Sequence, residues 1–195
     1  MATPTWVTLA NANEANQTST GAAYSNSTTL SDISPGGTAS AMSLAAGQLY
    51  PGQMFRFFAG GIYSTAGSAP NLTLGVYLGG VSAGAGAQVL GVTNLATTAS
   101  QTNQLWSLKG RMRVITTGLA GVATVVAMGE LLGFNATPIS GAQVIPNTSA
   151  SGGTVTGTIQ TQTAQILTLG AQWSALSASN SITCYFWTVE YLTEP

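Results

Sequence analysis

Short runs rich in Thr, Val, Ile and aromatic residues, each closed at both ends by Gly, Pro, Asn or Ser, recur along the whole chain, and a helical hydrophobic period hardly occurs. β-Branched and aromatic side chains suit a pleated, half-buried surface, while Gly and Pro supply the backbone conformations that turns need. The pattern predicts strands over 26–34, 41–50, 53–65, 71–79, 87–93, 104–117, 121–134, 154–160, 164–174 and 180–192. The punctuation between them includes Pro35-Gly36-Gly37, Pro51-Gly52, Gly84-Ala85-Gly86 and Ser151-Gly152-Gly153. Many short strands with a turn at each end build sandwiches and barrels. The number and spacing here predict an all-β protein, an antiparallel β-sandwich of jelly-roll type with about eight to ten strands.

Alternation assigns faces. In "AQILTLGAQWSA", Leu167, Leu169, Ala171 and Trp173 alternate with Thr168, Gly170, Gln172 and Ser174, predicting one dry side and one wet side. In "NSITCYFWTVEYL", both sides read as apolar, with Ile182, Cys184 and Phe186 on one and Tyr185, Trp187, Val189 and Tyr191 on the other. Such a strand is expected to be covered twice, the second cover coming from the chain's own N-terminal arm or from a neighbouring subunit. That arm is residues 1–25, polar and weakly patterned apart from Trp6-Val7-Thr8-Leu9. It is expected to fray or to lie as an extended strap on a partner, anchored by Trp6; residues 26–195 form the sandwich.

Only four residues are Lys or Arg, and three of them, Lys109, Arg111 and Arg113, fall at every second position of "SLKGRMRVITTG". With period two they share a face with Ile115, while Leu108, Gly110, Met112 and Val114 take the other. A hairpin closed by Gly118-Leu119-Ala120-Gly121 pairs Thr117 with Val122. That register sets Lys109 opposite Glu130, Arg111 beside Met128 and Arg113 beside Val126. Three readings stand open: a solvated guard against edge pairing, an internal salt-bridge network with Glu130 and Glu190, or a docking face where Arg forks meet a partner's carboxylates while Met and Val pack beside them. The five acids, Glu14, Asp32, Glu130, Glu190 and Glu194, are too few to satisfy the ladder well from within a monomer.

Composition narrows the function classes. Charged residues make up 5% of the chain and the net charge is −1, so little repulsion keeps copies apart and association is favoured. No basic patch is large enough to neutralise several phosphates, so no nucleic-acid partner is expected. The longest apolar-rich run, "GLAGVATVVAMGELLGF", is interrupted by glycines and Glu130, so no membrane span is expected, and the first residues lack the pattern of a secretory signal. The chain has no His and one Cys, Cys184, expected to be a buried apolar residue in a strand. Without a usual base, a spaced carboxylate pair or a metal-ligand set, neither catalysis nor a cofactor is expected. "LGGVSAGAGAQVLG" is followed by no helix or Lys-Ser/Thr, so its glycines read as a hairpin loop rather than a phosphate cradle.

The order "SNSTTL … LYPGQMFRFFAGGIYSTAGSAPNLTLGVYLGG … TNQLWSLKGRMRVITTGLAGVATVVAMGELL … AQILTLGAQWSALSASNSIT" resembles jelly-roll structural proteins of tailed bacteriophages, from about residue 26 to 192. Pro51-Gly52, Gly61-Ile62-Tyr63-Ser64, Leu72-Thr73-Leu74, Trp106, Gln172-Trp173-Ser174 and Ser179-Asn180-Ser181-Ile182-Thr183 carry the resemblance. It implies a virion protein made in the host cytoplasm, with no catalytic motif. The first expectation is a head decoration protein, a homotrimer on the outer capsid surface, bound to the major capsid protein of the same phage. Trp6, Lys109, Arg111, Arg113, Met128, Tyr185, Trp187 and Tyr191 are its candidate interface residues. The alternatives are a receptor-binding knob recognising host-surface glycan with aromatic platforms such as Trp106, Trp173 or Tyr185, and a virion-internal or tail-tube role.

Overall fold

A computed structural model describes residues 5–8, 23–35, 42–81, 86–118, 123–133, 143–146, 154–155 and 161–193. Within them the chain forms strands and no helix. In order these are β1 (Thr5–Thr8), β2 (Tyr24–Ser25), β3 (Ser31–Asp32), β4 (Met42–Leu44), β5 (Met54–Ser64), β6 (Asn71–Leu78), β7 (Ala87–Ala96), β8 (Gln104–Thr116), β9 (Thr124–Leu132), β10 (Gln143–Pro146), β11 (Thr154–Val155), β12 (Gln165–Trp173) and β13 (Ser181–Thr193). The larger sheet runs β1-β13-β5-β8-β9-β10, with β2 also on β13 and β11 on β9; the smaller runs β3-β12-β6-β7, with β4 also on β12. Every pairing is antiparallel and the two sheets pack face to face, so the chain is a β-sandwich. The pairs nest: β1 with β13, β4 with β12, β5 with β8 and β6 with β7.

One core lies between the sheets. The larger contributes Phe55, Phe57, Ala59, Leu108, Met112, Val114 and Val125, the smaller Leu72, Leu74, Val76, Leu78, Leu167, Leu169 and Trp173, all in a single cluster. Each large side chain removed from water adds about 1.5–3 kcal/mol. Gly110 and Gly129 face one another on β8 and β9; a Cβ on Gly110 would run into Leu90 of β7, and one on Gly129 into the Lys109 carbonyl, so the bare Gly110 backbone lets the sheets close there. Among the described residues the buried polar side chains are Ser34, Gln53, Thr65, Thr97, Thr161, Gln165, Thr168 and Asn180, none of them ionic. Asn180 shows how they serve: its Oδ1 accepts from Ala66 N–H at 2.9 Å and its Nδ2 donates to Ala175 O at 3.1 Å, tying two loops together.

The long predicted strands survive with shifted ends, and the short ones differ for local reasons. The run 41–50 is a strand only over Met42–Leu44, because a turn closes at Gly47, where φ is +74° and Gln48 N–H reaches Ala45 O. The run 26–34 keeps only Ser31–Asp32, since Asn26 already stands at φ +49° and the segment bends. Of 154–160, Thr154–Val155 is a strand and 156–160 lies outside the described residues, as does the 119–122 turn of the charged hairpin. On β12 the side expected to be wet is dry in its middle: Thr168 and Gly170 are buried, and the Tyr77 ring and Val81 lie over Gly170.

Two expectations near the termini are corrected. Thr5–Thr8, part of the arm expected to fray, to strap a partner or to cover β13 of its own chain, does lie on that strand, but edge to edge as a sheet neighbour rather than over its face, with Trp6 opposite Leu192, and Tyr24–Ser25 pairs with the start of the same strand. Residues 9–22 of that arm lie outside the described residues. The second concerns β13, which does not have two apolar faces. A bulge between Cys184 and Phe186 inserts one extra residue, Tyr185, and shifts the alternation by one. Ile182 and Cys184 face the core before it, and Trp187 and Val189 face the same core after it, leaving Phe186, Thr188 and Glu190 outside.

Candidate functional site

The outer face of the large sheet collects the chain's cations. β8 places Lys109, Arg111 and Arg113 outward between buried Leu108, Met112 and Val114, as alternation predicts. The hairpin register is also as predicted from Lys109 to Val114: Lys109 stands opposite Glu130, Arg111 opposite Met128 and Arg113 opposite Val126. It slips by one between Val114 and Thr116, so Thr116 pairs with Thr124. On the other side β8 pairs with β5, whose Phe55 and Phe57 go inward while Arg56 and Phe58 go outward. Arg56 is thereby set directly opposite Arg111 and Phe58 opposite Lys109. All four Lys and Arg residues of the chain share this one face.

Two of the four are neutralised at home. Arg56 Nε donates to Glu190 Oε2 on β13 and its guanidinium lies 4.6 Å from the centre of the Trp6 ring. Lys109 Nζ is 3.3 Å from Glu130 Oε1, with Phe58 beneath it at 6.0 Å and Phe58 itself 5.0 Å from the Phe186 ring. Both ion pairs are solvent-accessible, so each adds only about 0.2–1 kcal/mol. Arg111 and Arg113 are exposed and have no carboxylate partner among the described residues. The internal-network reading thus holds for Lys109 with Glu130, while Glu190 is engaged by Arg56 rather than by the ladder.

Apolar surface accompanies the cations. Of seven large apolar residues left exposed among the described residues, Phe58 (42%), Leu105 (75%), Ile115 (41%) and Met128 (65%) are on this face. Between the two ion pairs a depression of about 540 Å3 opens, lined by Phe58, Lys109, Arg111, Met128 and Glu190 among others. Arg, Met and aromatic side chains in one patch are the composition of protein-interface cores.

Of the other candidate residues, Trp6 is half-buried on β1 beside Arg56, and Tyr185 is exposed on the bulge of β13. Trp187 is a correction: it is buried in the core, stacked on Phe57 at 5.9 Å, and Tyr191 packs against that core half-buried. The cause is the bulge, which turns both toward the smaller sheet. Trp106 and Trp173, named as glycan platforms, are likewise core residues at 3% and 0% exposure. Sequence reasoning missed Arg56 as a member of the charged face. The alternation of "MFRFF" puts it outward, but only the pairing of β5 with β8 puts it beside Arg111.

Among the described residues no three His, Cys, Asp or Glu gather where a metal could bind. Cys184 is buried, as expected, and burial pushes its thiol up to about 12, with the Gly60 and Phe186 backbones pulling the other way, so it is not a thiolate nucleophile at neutral pH. Comparison with known protein families, curated proteins and solved structures finds no match for this chain.

Proposed function

We propose that the protein is a non-catalytic structural protein that works by lying against other protein molecules, and specifically that it is a head decoration protein of a tailed bacteriophage, clamping the outer surface of the capsid as a homotrimer. One observation carries the reading: a chain with four cations puts them all, together with four of the seven large apolar side chains exposed among the described residues, on one face of one sheet. An ordinary solvated surface disperses its charge; a docking surface gathers it. The nested pairing of β1 with β13, β4 with β12, β5 with β8 and β6 with β7 supports a jelly roll, with β9 to β11 inserted after β8. That wiring and the resemblance noted in the sequence point to the virion. A ligand that prefers the assembled shell stabilises it by mass action, so many weak copies suffice.

Purified protein mixed with undecorated heads is expected to add in a fixed ratio and to raise the temperature at which the heads disrupt, and its solution mass is expected to be that of three chains. Protein that binds host cells and ignores heads moves the reading to a receptor-binding knob; protein that binds neither refutes both.

A further inference from the structure

We infer that the segment this face receives is an extended acidic peptide, with carboxylates at every second residue, lying along β8. The inference rests on the docking reading above and deepens it by naming the partner's chemistry. Arg111 and Arg113 are exposed on one side of one strand, two residues apart, a spacing of roughly 6.5–7 Å. An extended chain repeats its own side chains at that same interval, so acid-x-acid meets both guanidinium forks in step.

These two cations lack a carboxylate among the described residues, whereas Arg56 and Lys109 each have one. Arg111 also stands directly across from Arg56, whose charge Glu190 already balances, so an arriving carboxylate is left to Arg111 and Arg113. Met128 opposite Arg111, Val126 opposite Arg113, and Ile115 two residues further along β8 offer apolar surface beside the track. A second copy of the same face would bring cation onto cation, so it is not the occupant. An anionic glycan would use the forks and leave Met128 and Ile115 without a role.

The test uses the full chain and three labelled probes read by fluorescence anisotropy. One is a short peptide alternating Glu with Val or Thr, the second has the same residues with the Glu in one block, and the third is a sulfated oligosaccharide. The alternating peptide is expected to bind tightest, to weaken with salt, and to lose about tenfold in affinity for the Arg111→Gln/Arg113→Gln protein, while Lys109→Gln changes less. Both variants alter exposed side chains, and far-UV circular dichroism confirms their fold. Equal binding of the two peptides, preference for the oligosaccharide, or no peptide binding overturns the inference. Uptake by heads is measured in parallel. Uptake without peptide discrimination leaves the docking reading standing and removes this one; discrimination without uptake does the reverse for the head assignment.

Discussion

Asp32 is the one carboxylate of the smaller sheet among the described residues, and its surroundings set a pH response. Its Oδ1 accepts from Ser34 N–H at 2.8 Å, while Oδ2 is buried with no hydrogen-bond partner. Burial pushes its pKa up from 3.8, and the Ser34 hydrogen bonds pull the other way without cancelling it. A carboxyl whose folded pKa is raised holds its proton longer in the native state, so its contribution is full below pH 3.8 and is lost as pH rises through the folded value. Asp32→Asn keeps the Oδ1 acceptor and cannot ionise. Urea denaturation across the acid range is expected to show the variant gaining on the parent as pH rises, with the gain levelling off toward neutrality. A gap that shrinks with rising pH contradicts this account. The presence of Asp32 near a strand was readable from sequence; its unpartnered oxygen was not, because that depends on what β12 brings against it.

At the scale of one element, β13 separates what alternation reveals from what it hides. Ile182 and Cys184 are in one phase, and Trp187, Val189 and Tyr191 are in the other; two phases within one run are the mark of an inserted residue. The Gly60-Gly61 pair on β5 sits opposite the shift: a Cβ at Gly61 would meet the Thr183 carbonyl, and one at Gly60 the Phe186 ring. The bulge makes a sharp prediction for two aromatics that a strict period-two strand would treat alike. Trp187→Ala is expected to cost about 3–5 kcal/mol, since it empties a stacked core position. Tyr185→Ala, on the exposed bulge, is expected to stay within about 0.5 kcal/mol. Chemical denaturation of the two variants measures the contrast, and similar losses in both would mean the strand is not bulged there.

For the whole molecule, a single core cluster drawn from both sheets implies one cooperative unit. Trp106, Trp173 and Trp187 are all in that cluster, so their fluorescence reports the same event as the backbone signal. Fluorescence and far-UV circular dichroism are expected to give coincident denaturant transitions; separated midpoints would show that the sheets unfold independently. The outer surface follows a different economy. Hydroxyls and amides serve the loops, and the few cations are concentrated where the large sheet faces outward.

Strand periodicity, the facing of Lys109, Arg111 and Arg113, and the pairing of Lys109 with Glu130 were legible in the sequence because each depends on a two-residue period and one short connection. The arrival of Arg56 beside Arg111, the lodging of Thr5–Thr8 on β13 and the inward turn of Trp187 were settled only by tertiary structure. The physical reason is range. Side-chain alternation is a property of a few consecutive residues, whereas the neighbour a strand acquires, and the one-residue slip that flips its faces, depend on segments far away along the chain, as β8 is from β5 and, farther still, β5 is from β13.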